Sequence, residues 1–240
     1  MRRNKGGRME ITMKKYRAGV IGTGFIGKVH IETLRRLGNV DVVALTDKYM
    51  AKETAEELHV PNSFENYKEM IDTMSLDTVH ICTPNNTHFE IAMYALEHGV
   101  NVICEKPMTT SVSEAEQLVK KAKETGLVAA INFHNRFYPM TNHLMHIIKD
   151  GELGNVFSIS GSYCQDWLLY DTDYSWRLET ETSGDTRVIA DIGSHWMDLA
   201  EFVSGQKIVE VCADFSTIHP FRKKPNKVVH AFSNEIFEEK

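Results

Sequence analysis

The chain has 240 residues, with 27 basic and 33 acidic side chains and a formal net charge of -6. That length supports one large or two ordinary domains with a substantial core, and the acidic balance argues against general nucleic-acid affinity. No apolar run approaches the roughly 18 residues of a membrane span, and no apolar core follows the basic amino terminus (Arg2, Arg3, Lys5, Arg8, Lys14, Lys15), so it fails as a secretion signal.

Residues 1 to 15 read as a tail, with Met9 and Met13 as alternative starts. The apolar run Tyr16–Ile21 then leads into Gly22-Thr23-Gly24-Phe25-Ile26-Gly27, and an amphipathic segment spans Phe25 to Leu37. A second apolar run, Val40–Thr46, ends at Asp47, 20 residues past Gly27. Strand, glycine turn, helix, strand and terminal acid in that order form a dinucleotide-binding fingerprint. Gly22 permits the tight turn, Gly24 lets the backbone approach a pyrophosphate, and Gly27 lets the helix pack on the sheet. The first helical N–H groups, at Phe25 and Ile26, then face the phosphates with the positive end of the helix dipole behind them. Asp47 accepts both hydroxyls of an adenosine ribose and repels a 2′-phosphate, which favours NAD. Lys48 beside it softens that exclusion and leaves NADP open. The competing reading is a glycine turn in some other α/β protein.

Further strand-like runs follow at Thr78–Thr83, Val100–Cys104 and Val128–Ile131, with helical periodicity at Ala51–Leu58, Phe64–Met70, Thr87–Glu97 and Val112–Lys123. This alternation predicts a doubly wound parallel sheet of the Rossmann kind over residues 16–134, with helices on both faces. Right-handed crossovers put the carboxyl ends of the strands along one rim, where ligands collect. After Arg136 the pattern changes to a helix at about Met140–Lys149, a β-like run at Val156–Tyr163, an aromatic and acidic loop from Asp166 to Trp176, a helix at Ser194–Val203 and a strand at Ile208–Phe215. Residues 135–240 are therefore expected to form a second, α+β domain. Cys82, Cys104, Cys164 and Cys212 are far apart and form no CxxC, which fits a cytoplasmic, disulfide-free protein.

Three segments carry candidate chemistry. Cys82-Thr83-Pro84-Asn85-Asn86-Thr87-His88 leaves a strand; Pro84 stops it and Asn86 or Thr87 can cap the next helix, so it reads equally as a plain turn or a cofactor contact. Glu105-Lys106-Pro107 ends the following strand, and Lys106 either holds a substrate hydroxyl and its developing alkoxide or is a solvated surface lysine. In Asp191-Ile192-Gly193-Ser194-His195-Trp196-Met197-Asp198, three polar residues at i, i+4 and i+7 share one helical face. An imidazole between two carboxylates suits proton transfer near neutral pH; a metal site and a solvated face are the alternatives. His143 and His146 read as surface histidines, and no metal centre is expected.

Taken together, GTGFIG, CTPNNTH, EKP, the Trp176-Arg177 pair and DIGSHWMD, in that order, resemble the glucose–fructose oxidoreductase, inositol dehydrogenase and rhizopine-catabolism (Gfo/Idh/MocA) family from about residue 16 onward. The resemblance implies NAD(P)-dependent oxidation of a sugar, polyol or inositol-like alcohol. It implies that Lys106 is the catalytic lysine, His195 the proton-transferring histidine and Asp191 the acid that positions substrate. It places Thr83, Asn85, His88, Glu105, Lys106, Trp176 and Arg177 near the cofactor, and Pro107 at a proline often preceded by a cis peptide. It also implies a second domain built on a large open, mainly antiparallel sheet, and a homo-oligomer. Against that pattern the stretch Lys227–Lys240 reads as mid-domain sequence cut short, leaving the sheet incomplete. The aromatic loop, with Trp167, Tyr170, Tyr174 and Trp176 among aspartates, is a candidate for stacking on sugar faces, and Asn132–Arg136 for touching ligand. Competing functions are a nucleotide-sensing protein that keeps the fold without turnover, and a metal-dependent hydrolase built on the Asp191/His195/Asp198 face.

Overall fold

The structure is a computed structural model that describes residues 14–225, together with the backbone of a two-residue antiparallel ladder pairing Arg2–Arg3 with Met9–Glu10. In chain order the regular elements are β1 (Tyr16–Ile21), α1 (Phe25–Arg36), β2 (Val40–Thr46), α2 (Ala51–Glu57), β3 (Ser63–Phe64), α3 (Tyr67–Thr73), β4 (Thr78–Ile81), α4 (His88–Glu97), β5 (Asn101–Cys104), α5 (Val112–Thr125), β6 (Ala129–Ile131), α6 (Pro139–Lys149), α7 (Thr180–Ser183) and α8 (Ser194–Ser204). The chain divides into two compact units. The first takes its described residues from 1–83, 90–104 and 118–130, the second from 84–89, 105–117 and 131–240.

The first unit is built on a sheet of order β3-β2-β1-β4-β5-β6, parallel across the registered pairs from β3 to β5. A parallel sheet covered on both faces needs strands that are apolar on both sides, not alternating. β2 meets that demand with Val42, Val43, Ala44 and Leu45 all buried, and β1 with Ala18, Val20 and Ile21. α1 covers the sheet with Gly27, His30, Ile31 and Leu34, the i, i+3, i+4, i+7 stripe of an amphipathic helix. Ala18, Val20, Ile31, Leu34, Val42, Leu45, Ala51 and Ala55 close into one core. The strand order reverses between β1 and β4, the position in such sheets where ligands bind beyond the carboxyl ends. The glycine turn leaves β1 at that point, with the Gly22 N–H donating to the Thr46 carbonyl at 2.8 Å.

The described residues of the second unit hold α6, α7, α8 and several tight turns. Pro139 opens α6 at its first turn, where a missing N–H has no intrahelical partner to lose. A π turn over Ile189–Gly193 runs into α8, which ends at Gly205 with φ +69°. α6 and α8 pack together.

Several local expectations differ from the outcome. The periodicity over Phe64–Met70 is displaced: Ser63–Phe64 pairs with Leu45–Thr46 as a short strand, and the helix begins at Tyr67, where the Asn66 side chain caps it by accepting from the Lys68 N–H at 2.9 Å. Asn86 donates to the Glu181 carbonyl and Thr87 to the Pro84 carbonyl, within a 3₁₀ turn over Asn85–Thr87. The runs 156–163 and 208–215 carry no strand among the described residues. A β-prone run becomes a strand only where a neighbour satisfies its backbone groups, and neither run has such a ladder there. Lys227–Lys240, and the tail apart from the short ladder and residues 14 and 15, lie outside the described residues.

Leu45 is fully buried at the centre of the first unit's core. Leu45→Ala is expected to lower unfolding free energy by about 2–5 kcal/mol, measured by urea titration. A loss well under 1 kcal/mol would contradict the packing described.

Candidate functional site

In the first unit the glycine turn has the geometry a diphosphate needs. Gly22 has φ +86°, and a Cβ there would lie 2.8 Å from Thr83 Cγ2 and 2.9 Å from the Cys82 carbonyl. At Gly27 a Cβ would lie 2.0 Å from the Gly22 carbonyl oxygen, so helix and turn can touch only through a glycine. Gly24 differs: nothing lies within 4 Å of its would-be Cβ, so the backbone there faces open space. The first turn of α1, with exposed Phe25 and half-buried Ile26, carries no side-chain cap and no acidic residue. An uncapped helix start beside an open glycine backbone fits an anionic diphosphate.

Asp47 sits at the end of β2 with its carboxylate fully engaged. Oδ2 accepts the Thr23 hydroxyl at 2.6 Å and the Thr23 N–H at 3.2 Å; Oδ1 accepts the N–H groups of Tyr49 at 3.0 Å and Met50 at 3.2 Å. Burial pushes this carboxyl up, but the Thr23 hydroxyl and these three N–H groups together hold it below its ordinary value. Lys48 is exposed, with its ammonium 5.5 Å from the Tyr49 ring centre.

In the second unit the candidate catalytic residues converge. Lys106 Nζ donates to Asp191 Oδ1 at 2.8 Å and to the Asp191 carbonyl at 2.7 Å. Arg177 Nε lies 3.3 Å from the same Oδ1. All three side chains are largely buried, at 13% exposure for Lys106, 20% for Arg177 and 7% for Asp191. Two cations thus share one carboxylate oxygen, while Asp191 Oδ2, Arg177 Nη1 and His195 Nδ1 are buried with no hydrogen-bond partner among the described residues. Unpartnered buried polar atoms are rare, and three in one cluster fit a place for a polar ligand or its water.

His195, in the first turn of α8, is 5% exposed and ringed by Phe133, His134 and Tyr163, with His134 closest at 5.1 Å between ring centres. Burial, the Lys106 ammonium and His134 push its imidazole down to about 4, against weaker upward pulls from Glu105 and Asp191. The expected arrangement of an imidazole between two carboxylates, titrating near neutrality, is therefore corrected. Asp198 pairs with Arg136, whose Nε donates to Oδ2 at 2.7 Å and whose Nη2 reaches Oδ1. The π turn over 189–193 breaks the 3.6-residue phase assumed between Asp191 and the rest of the face. The triplet does not converge as a metal site either.

The other predicted residues brace this cluster. Glu105 is buried and accepts from Asn132 Nδ2 at 2.6 Å. His88 is fully buried and its Nδ1 donates to the Pro107 carbonyl at 2.7 Å, just beyond the cis Lys106–Pro107 peptide. Asn85 donates to the Ser183 carbonyl at 2.9 Å. One face of each of Trp176 and Trp167 is taken by Arg177, whose guanidinium lies over the rings at 4.6 and 4.9 Å. His134 lies in the stretch Asn132–Arg136 expected to touch ligand, whereas Tyr163 beside His195 and Arg187 near Asp191 were not foreseen as site residues. They come from separate turns, and no fixed sequence spacing marks them.

A dinucleotide-shaped glycine turn at the switch point of a doubly wound sheet defines a Rossmann-type dinucleotide-binding class. Residues 16–133 match the family model described as an oxidoreductase family with an NAD-binding Rossmann fold, and residues 141–233 match the GFO/IDH/MocA C-terminal domain. The chain belongs to the GFO/IDH/MocA family. It is 29% identical over 205 residues to levoglucosan dehydrogenase of Pseudarthrobacter phenanthrenivorans, covering 81% of this chain and 52% of that protein. It is 27% identical over 206 residues to myo-inositol 2-dehydrogenase of Thermotoga maritima, covering 84% of this chain and 59% of that protein. A solved levoglucosan dehydrogenase in complex with NADH and levoglucosan superposes with a TM-score of 0.77 at 28% identity, covering 80% of this chain and 55% of that one. The chain spans between half and three-fifths of the length of these curated relatives.

The position of His195 has a measurable signature. Its folded value, about 4, lies below the ordinary 6.5, so the unfolded chain takes up the proton first. The stability held by the neutral ring is complete above pH 6.5, is lost as pH falls from there through about 4, and totals about 3 kcal/mol. Imidazole NMR should show His195 neutral at pH 5.5, and His195→Asn should flatten the acid limb of stability. A ring that titrates near 6.5 would refute the desolvated environment.

Proposed function

We propose that this chain is an NAD-dependent oxidoreductase that transfers a hydride between nicotinamide and the CH–OH group of a sugar, polyol or inositol-like substrate. The observation that carries this reading is the buried Lys106–Asp191–His195 cluster in a chain that also holds the dinucleotide turn. Gly22, Gly24 and Gly27 with the first turn of α1 take the diphosphate, and Asp47 takes the adenosine ribose. Because all four hydrogen bonds at Asp47 are internal, a ribose hydroxyl enters by replacing the Thr23 hydroxyl on Oδ2. That exchange of one hydroxyl for another keeps the carboxylate satisfied, and a 2′-phosphate could not make it. We assign Thr83, Asn85, His88, Glu105, Trp176 and Arg177 to cofactor contacts as well.

Bound nicotinamide supplies the hydride acceptor. Lys106 has used two of its three N–H donors on Asp191, and the third is directed to the substrate oxygen. Asp191, paired with Lys106 and Arg177 through Oδ1, holds a neighbouring hydroxyl through the unpartnered Oδ2. His195 is neutral at physiological pH and accepts the hydroxyl proton. Negative charge developing on the substrate oxygen raises the proton affinity of His195 at the moment of transfer and draws the Lys106 ammonium closer.

The wide spacing of Cys82, Cys104, Cys164 and Cys212, with no CxxC among them, supports a cytoplasmic location. No helix among the described residues is long and apolar enough to cross a membrane. We place the functional division at residues 16–134 for cofactor and 135–240 for substrate and homo-oligomer contacts.

Reduced-nicotinamide absorbance with a panel of sugars, polyols and inositols, using NAD and NADP side by side, tests the reading. NAD should be preferred. Lys106→Ala should lower turnover by about a hundredfold or more with NAD affinity by calorimetry nearly unchanged. Full turnover in that variant, or no heat of NAD binding to folded protein, would end it.

A further inference from the structure

Arg187 is not used by the mechanism above. It precedes Asp191 by four residues and has φ +34°, a left-handed value that a non-glycine side chain adopts at a cost and that recurs at ligand clamps. Its guanidinium is half-buried, and among the described residues it makes no side-chain hydrogen bond or ion pair. The charges that act on it are one carboxylate, Asp191, and two guanidinium groups, Arg222 and Arg177. Burial weakens its hold on the proton more than Asp191 strengthens it.

Asp191 does not satisfy that group: its Oδ1 serves Lys106 and Arg177, and its Oδ2 has no hydrogen-bond partner among the described residues. Arg222 brings no counter-charge: it donates to the carbonyls of Leu168, Tyr170 and Asp173. Three cationic side chains, Lys106, Arg177 and Arg187, therefore draw on one carboxylate, and the Arg222 guanidinium adds to the positive charge acting on Arg187. A half-buried cation without a partner is unfavourable until an anion arrives, and a guanidinium is the side chain best matched to a planar carboxylate or a phosphate. Arg177 is preorganised beside it, clamped over Trp167 and Trp176, with Nη1 unpartnered.

We propose that Arg187, supported by Arg177, receives an anionic group of the substrate, so that the alcohol this protein oxidises carries a carboxylate or phosphate. The inference rests on the dehydrogenase reading of the same cluster and narrows its substrate class to acidic sugars or polyols. The same anion chemistry also exists in the coenzyme, so the two sources must be separated.

Calorimetry and tryptophan fluorescence on the full chain, with and without NADH, would measure binding of D-gluconate, D-glucose 6-phosphate and neutral D-glucose, independently of turnover. At least one anion should bind tenfold or more tightly than glucose. Arg187→Ala should remove most of that preference while leaving glucose and NADH affinity unchanged, and Arg187→Lys should restore part of it. In turnover, KM for the anionic substrate should rise at least tenfold in Arg187→Ala, with kcat altered far less. Equal binding of anion and glucose, or an Arg187→Ala defect that falls equally on NADH, would overturn the proposal. Anion binding through Arg187 with no hydride transfer to any substrate would support this subsite and refute the dehydrogenase reading instead.

Discussion

The Asp191 carboxylate holds the second unit's chemistry in place. Its Oδ1 ties together Lys106, which follows β5 in the chain, and Arg177, which comes from the aromatic loop some seventy residues later. These segments share no local propensity that would bring them together. What joins them is the cost of burying two cations without a counter-charge. A buried ion pair contributes little net stability, but removing one member leaves the other uncompensated, at about 3–5 kcal/mol. Asp191 therefore specifies a geometry more than it adds stability. The π turn that presents it lifts Asp191 out of phase with α8, so that its carbonyl as well as its carboxylate faces Lys106. A regular α-helix through Gly193 would have left that carbonyl in the i→i+4 ladder.

The glycine turn of the first unit rests on a steric constraint instead. The contact between Gly27 and the Gly22 carbonyl leaves no room for any side chain. Close approach brings α1 onto the sheet with its first turn pointing across β1, and the open space at Gly24 remains for a ligand. Asp47 completes the turn by tying Thr23 to the start of the loop after β2. Before any coenzyme arrives, its carboxylate is already ionised, oriented and fully hydrogen-bonded.

Legibility in the sequence followed how local each determinant is. β1, α1 and β2 could be read almost to the residue, because continuous apolar runs, a 3.6-residue stripe and the glycine turn are short-range signals. The displaced α3 start turned on Asn66, a cap hidden inside an apparently periodic run. The runs 156–163 and 208–215 have the composition of strands, but pairing is a property of two segments and cannot be read from one. The same limit applied at the site. Lys106, Asp191 and His195 were identifiable as chemical types, whereas the diversion of Asp198 depended on Arg136, a partner 62 residues away in the chain that local pattern does not reveal. The aromatic loop was legible as aromatic, yet its two indoles hold Arg177, because a guanidinium already in the unit outcompetes an open face.

The low proton affinity of His195 and the presence of Lys106 are two aspects of one electrostatic arrangement. A buried ammonium that depresses a neighbouring imidazole also lowers the energy of any oxyanion formed between them. In the resting cluster burial first and this charge second keep His195 neutral; under the proposed mechanism, a substrate oxygen that turns anionic neutralises the Lys106 charge and His195 regains affinity for the proton. A histidine already near neutrality would be partly protonated at rest and respond less to that change. Under that mechanism the environment that moves His195 away from its ordinary value couples proton acceptance to the appearance of charge on the substrate, and Asp191 supports the Lys106 share of it by holding the ammonium in place.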